Sequence, residues 1–159
     1  MGPLRKSLGI IAVLTGVFVV IAGAKAGAEI KQAIALIYPV ADEKVAGELH
    51  LLPTAEGLKI TGSFMNLEPG GHGFHVHQYG NCTAPNQDSV GPHFSPKKAG
   101  EEYHGDLPQV EAGKDGKAGY KAVVGKLSFA GEYSVIGRGL VIHGLDGKKI
   151  GCGVIGIAE

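Results

Sequence analysis

The chain has no tryptophan, only two cysteines, no excess of charge of either sign and no internal repeat. With 15 basic residues against 15 acidic ones it lacks the positive field that draws nucleic acid or an anionic membrane surface, so neither is expected as a partner. The missing repeat excludes a solenoid. A content of 44% hydrophobic and 19% charged residues is too apolar for a disordered chain. At 159 residues there is room for one domain and not for two of ordinary size. Two cysteines, Cys82 and Cys152, allow a single disulfide, and an oxidising compartment would favour it.

What the chain has in excess is glycine, 27 residues with no collagen period and eight prolines beside them. That composition points to many tight turns joining short strands. Residues 1–28 read as a separate segment. Arg5 and Lys6 form a positive start, residues 8–20 an apolar stretch, and Ala26-Gly27-Ala28 a small-residue cleavage signature, with Ala22-Gly23-Ala24 as a second option. The expectation is an export signal, hence a periplasmic or secreted protein of the cell envelope. The alternative is an uncleaved anchor, which would add a membrane tether. Losing this segment removes Arg5, Lys6 and Lys25 and no acid, which leaves a mildly acidic domain over residues 29–159.

Within that domain, residues 30–40 read as a strand, and 45–52 and 58–67 as a hairpin around Pro53-Thr54-Ala55-Glu56-Gly57. Residues 74–78 read as the next strand. From 79 to 117 no strand or helix pattern is sustained, and a run of that length in a compact domain is functional or tied down by other bonds. Short strands follow at 118–129, 133–135, 139–144 and 152–158. The expected fold is all-β: a Greek-key antiparallel β-barrel or sandwich of about eight strands with long loops.

Seven histidines fall in the domain: His50, His72, His75, His77, His93, His104 and His143. His75 and His77 lie at i, i+2 on a strand, so both imidazoles leave the same face about 6–7 Å apart. Two rings at that spacing can share an ion, although an isolated H-x-H is more often a surface pair. Imidazoles without thiolate or thioether suit copper, while affinity order alone leaves zinc and nickel open.

Five segments in order carry a resemblance: Gly71-His72-Gly73-Phe74-His75-Val76-His77; Gly91-Pro92-His93-Phe94-Ser95-Pro96; Gly105-Asp106-Leu107; Gly137-Arg138-Gly139-Leu140-Val141-Ile142-His143; and Cys152-Gly153-Val154-Ile155-Gly156-Ile157-Ala158. Together they resemble the signature segments of copper/zinc superoxide dismutases, from about Ile30 to the C-terminus. The resemblance implies a copper site of His75, His77, His93 and His143, with His93 as the ligand that also carries a proton. It makes His72 a structural histidine and assigns nothing to His50. Asn81-Cys82-Thr83-Ala84-Pro85 resembles the bacterial branch, which implies a Cys82–Cys152 disulfide.

The chain departs from the family pattern in two places. After the histidine that in the family bridges copper to zinc, His93 here, the family has two more zinc histidines and an aspartate, whereas in this chain only His104 precedes Asp106. Without a gap, Tyr103 takes the second zinc-histidine position; with a one-residue deletion, His104 does. A zinc site would then hold at most His93, His104 and Asp106, one ligand short of four. Otherwise His104 is a solvated loop residue and Asp106 orients His93. The long charged loop before the last cysteine is also cut, to Gly144-Leu145-Asp146-Gly147-Lys148-Lys149-Ile150-Gly151. Lys149, three residues before Cys152, stands where the family has an anion-attracting arginine, and Asp146 is a candidate partner for a ligand imidazole. Both losses resemble copper-only members. The implied activity is copper-dependent disproportionation of superoxide, with a non-catalytic envelope copper-binding or copper-delivery protein as the alternative. Gly-rich aliphatic strands leave room for a homodimer.

Overall fold

A computed structural model describes residues 29–83, 88–96 and 103–158. The segment read as an export signal lies outside the described residues. Among those residues no helix is long and apolar enough to cross a membrane.

Among the described residues there are ten strands and one short 3-10 turn. They are β1 (Gln32–Pro39), β2 (Ala46–Thr54), β3 (Gly57–Met65), β4 (Gly70–His72), β5 (Phe74–Val76), the turn η1 (Asp88–Val90), β6 (Val110–Ala112), β7 (Ala118–Val124), β8 (Gly139–His143), β9 (Lys149–Val154) and β10 (Gly156–Ala158). The main sheet runs β5-β8-β9-β1-β2-β3-β7, with β10 paired to the first half of β1, and β4 and β6 form a separate pair. Every ladder between strands is antiparallel. Neighbours such as β5/β8, β9/β1 and β3/β7 are distant in sequence, so the sheet closes through long crossovers, as in a Greek-key β-barrel.

Period-two burial builds the core. Ala33, Ala35 and Ile37 of β1, Leu49 and Leu51 of β2, and Leu58 and Ile60 of β3 point inward. Phe74 meets Phe64 at 5.3 Å and Tyr120 at 5.0 Å, both edge to face, and so draws β5 over β3 and β7. β8 departs from alternation, because Leu140, Val141 and Ile142 are all fully buried. Leu140 and Ile142 face the core, whereas Val141 packs on the other side against Val90 and the Cys152 end of the disulfide. The sheet thus carries a second apolar layer under the segment that holds η1.

The hairpin turn is tighter than the sequence indicates. Only Ala55 and Glu56 separate β2 from β3, with Gly57 at φ 125° and the Thr54 hydroxyl capping the turn. β7 stops at Val124, and residues 133–135 form only an isolated bridge, Ser128 to Ser134. The last strand begins earlier, at Lys149, and breaks at the buried Ile155 into two pieces that pair with different halves of β1. β6 lies inside the run that lacked a strand pattern, since three residues are too few to show a period.

Cys82 and Cys152 are bonded, closing 70 residues of chain. A loop of that size removes denatured-state entropy worth about 4 kcal/mol in the chain-entropy account. The paired substitution Cys82→Ser with Cys152→Ser should therefore lower the unfolding free energy by about 2–5 kcal/mol in urea titration under oxidising conditions.

Candidate metal centre

The metal centre begins with strand pleating. Phe74 and Val76 face the core, so His75, between them, and His77, just beyond β5, face out of the barrel. Their ring centroids are 6.3 Å apart. The pairing of β5 with β8 continues past the strand end, where the His143 N–H donates to the Gly73 carbonyl at 2.8 Å. A shift of register between Ile142 and His143 accompanies the placement of this ring beside His75, at 4.8 Å.

His93 comes from the long loop. Its segment is bound to β5 by Phe94 N–H to Val76 O at 2.8 Å and Gln78 N–H to Pro92 O at 2.9 Å. Phe94 anchors it, fully buried in the core with the Arg138 guanidinium 3.6 Å from its ring centre. Arg138 is fixed in turn by donating to the carbonyls of Ser134 and Gln78. The His93 ring stacks on His75 at 3.8 Å.

One potential ligand atom from each of His75, His77, His93 and His143 lies within 4.8 Å of the others. His75 Nδ1, His77 Nε2 and His143 Nε2 are buried without a hydrogen-bond partner. In a native protein such atoms call for an explanation, and an ion held between them supplies one. On His77 and His143 the opposite nitrogen is taken. His77 Nδ1 donates to Gly91 O at 2.7 Å and His143 Nδ1 to Gly147 O at 2.9 Å, which fixes each tautomer with its lone pair on Nε2. His93 Nδ1 meets Asp106 Oδ1 at 2.7 Å. Burial, reinforced by neighbouring imidazoles, lowers His75 and His77 from 6.5 to about 4, and burial lowers His143 as well. Neutral imidazoles with aimed lone pairs fit a borderline-soft divalent metal such as copper.

The remaining candidates fall around this centre. His72 is fully buried, with Nδ1 2.7 Å from the His143 carbonyl oxygen and Nε2 2.8 Å from that of Glu68, so it braces the backbone of His143. His50 lies on β2 between Gln32 and Glu48, away from the cluster. Lys149 sits opposite His143 in the β8/β9 pairing, its side chain mostly covered, with its ammonium 3.5 Å from Asp88. Asp146 does not reach a ligand ring. It pairs with Lys148 at 2.6 Å, and the His143 ring is held instead by a backbone carbonyl, that of Gly147.

The second metal set is not assembled. His104 turns its ring toward Tyr133 at 5.2 Å, and among the described residues neither it nor Asp106 joins a cluster of three or more possible ligands. Tyr103 instead lays its ring edge against His93 at 5.8 Å. His104 Nδ1 is, like the nitrogens of His75, His77 and His143, buried without a hydrogen-bond partner, so this ring is not simply solvated. The carbonyls of Gly91 and Gly147 escaped the sequence reading, since any residue offers a backbone oxygen.

A β-barrel with four imidazoles converging outside one end of its sheet defines a histidine-ligated metalloprotein. The comparisons give the particular family. The family described as copper/zinc superoxide dismutase (SODC) matches residues 45–155. The superoxide dismutase Cu-Zn 3 of Arabidopsis thaliana is 32% identical over 151 residues, covering 79% of this chain and 90% of that protein. The chain belongs to the copper/zinc superoxide dismutase family.

The neutral rings predict how the metal-free protein responds to acid. Between pH 6.5 and about 4 the unfolded chain binds protons that folded His75 and His77 refuse, so stability rises with pH across that window. Stability present above 6.5 should fall away as the pH drops toward 4. Thermal unfolding of metal-free protein at a series of pH values checks this, and His77→Gln should flatten the fall.

Proposed function

We propose that this protein is a copper-dependent superoxide dismutase whose copper is held by His75, His77, His93 and His143. The observation that carries the reading is the set of inward, unpartnered nitrogens on His75, His77 and His143 beside His93. Family membership supplies the reaction: one superoxide is oxidised to dioxygen, and a second is reduced and takes two protons to give hydrogen peroxide. Copper bound there supplies the one-electron couple that lets a single site run both halves.

The residues of the chain supply position, protons and charge. His77 and His143 are held by backbone carbonyls and cannot turn without losing those bonds. His93 is the proton carrier, with Nδ1 engaged by Asp106 and Nε2 left as the nitrogen that gains and gives up the proton. Its partial exposure lets water return protons after each turnover. Lys149 is the nearest candidate to draw in a small anion, and its charge reaches His77 and His143. Asp88 offsets part of that charge, and Lys148 is neutralised by Asp146, so attraction through the shortened loop is weak. We place the protein in the periplasm or outside the cell, where its disulfide is stable.

Copper-loaded protein should consume superoxide catalytically in the presence of a chelator that silences unbound copper, and His77→Ala should lose both copper and activity. Loss of all activity on adding the chelator, with copper still bound, would instead mark a metal carrier. Lys149→Met should lower kcat/KM by about two- to tenfold at low salt and flatten its dependence on ionic strength. Rates measured by rapid mixing over a salt series decide that point.

A further inference from the structure

We propose that the Asp106 carboxylate occupies the His93 nitrogen through which a second ion would be held, making Asp106 the positioning residue of a centre with one metal per chain. The inference rests on the reading of the four histidines as copper ligands. An imidazole shared between two ions needs both nitrogens. Here His93 Nδ1 lies 2.7 Å from Asp106 Oδ1. An ionised carboxylate only accepts, so Nδ1 carries the hydrogen and Nε2 the lone pair. His77 and His143 are held by backbone carbonyls, but His93 is held by a carboxylate, which fixes its ring orientation.

Asp106 is fixed by backbone as well as by this bond. It bridges to His75, and its neighbour Leu107 donates to Phe74 O at 3.2 Å. Before it, Gly105 donates to Phe94 O at 2.9 Å and accepts from Val76 N–H at 2.8 Å. A Cβ at Gly105 would collide with the Val76 carbonyl oxygen, so only glycine lets this turn come so close. The His75 strand, the His93 segment and the Asp106 turn are thus locked to one another. His104, the other possible second-metal ligand, faces Tyr133 with its Nδ1 buried and unpartnered, but it joins no set of three or more possible ligands among the described residues, and Tyr103 packs edge to face with His93. The family's second ion therefore has neither a free nitrogen on His93 nor a set of partners among the described residues.

The test loads the purified full chain with copper and zinc together and measures metal content and the electron paramagnetic resonance spectrum of the copper. Wild type should hold one copper and no zinc. Asp106→Ala should bind copper about 10–100-fold more weakly, with an altered spectrum. Asp106→Asn, whose amide oxygen accepts the same N–H, should recover most of the affinity. Zinc bound one to one beside copper in wild type would overturn this proposal and leave the dismutase reading standing, as would an unchanged affinity and spectrum in Asp106→Ala. If Asp106→Ala does not fold, the wild-type zinc content and the Asp106→Asn spectrum decide. Failure of wild type to bind copper would overturn the four-histidine reading and this proposal together.

Discussion

Four imidazoles whose ligand atoms lie within 4.8 Å repel one another as soon as they take up protons, and a sheet surface by itself would let them turn apart. What keeps three of them convergent is a bond at the far side of the ring. Gly91 O holds His77, Gly147 O holds His143 and Asp106 holds His93. Each acceptor fixes a tautomer, and burial keeps His75, His77 and His143 neutral. The result is a set of lone pairs with no protein partner, which is a costly arrangement unless an ion is shared.

The barrel supplies this arrangement through three connected constraints. Pleating puts His75 and His77 outside β5, because Phe74 and Val76 are needed in the core. The β5/β8 pairing carries His143 to the same place. The loop with His93 is anchored by Phe94 and Arg138 at one end and by the disulfide and Val90 layer at the other. Gly91, whose carbonyl orients His77, follows directly on Val90, which packs against Cys152, so the covalent tether and the tautomer of a ligand are linked through that contact. The same turn carries Asp88, which pairs with Lys149. Stability, ligand orientation and charge near the centre therefore meet in one short segment.

Much of this was legible in the sequence. The His-x-His spacing announced its own geometry, since a two-residue period fixes both face and distance, and the ordered motifs pointed to the family. The hairpin of β2 and β3 was readable from alternation around a turn. Strands of three residues, such as β4 and β6, could not be read, because no period shows over so short a stretch. The break at Ile155 was hidden for a different reason: it depends on which half of β1 each piece meets. Asp146 was a reasonable partner for a ligand ring on charge alone. Its local bond to Lys148 won, and Gly147 O, which no side-chain pattern reveals, took the ring. Departures from the family pattern around His104 put a second ion in question, but the Asp106–His93 contact could be seen only in the coordinates.

The central claim is that His75, His77, His93 and His143 share one copper ion. X-ray absorption at the copper edge of the oxidised, singly loaded protein tests it most directly. The account predicts a first shell dominated by nitrogen, with the outer-shell scattering pattern of four imidazole rings. A shell containing sulfur, or one dominated by oxygen with fewer than three imidazoles, would contradict it.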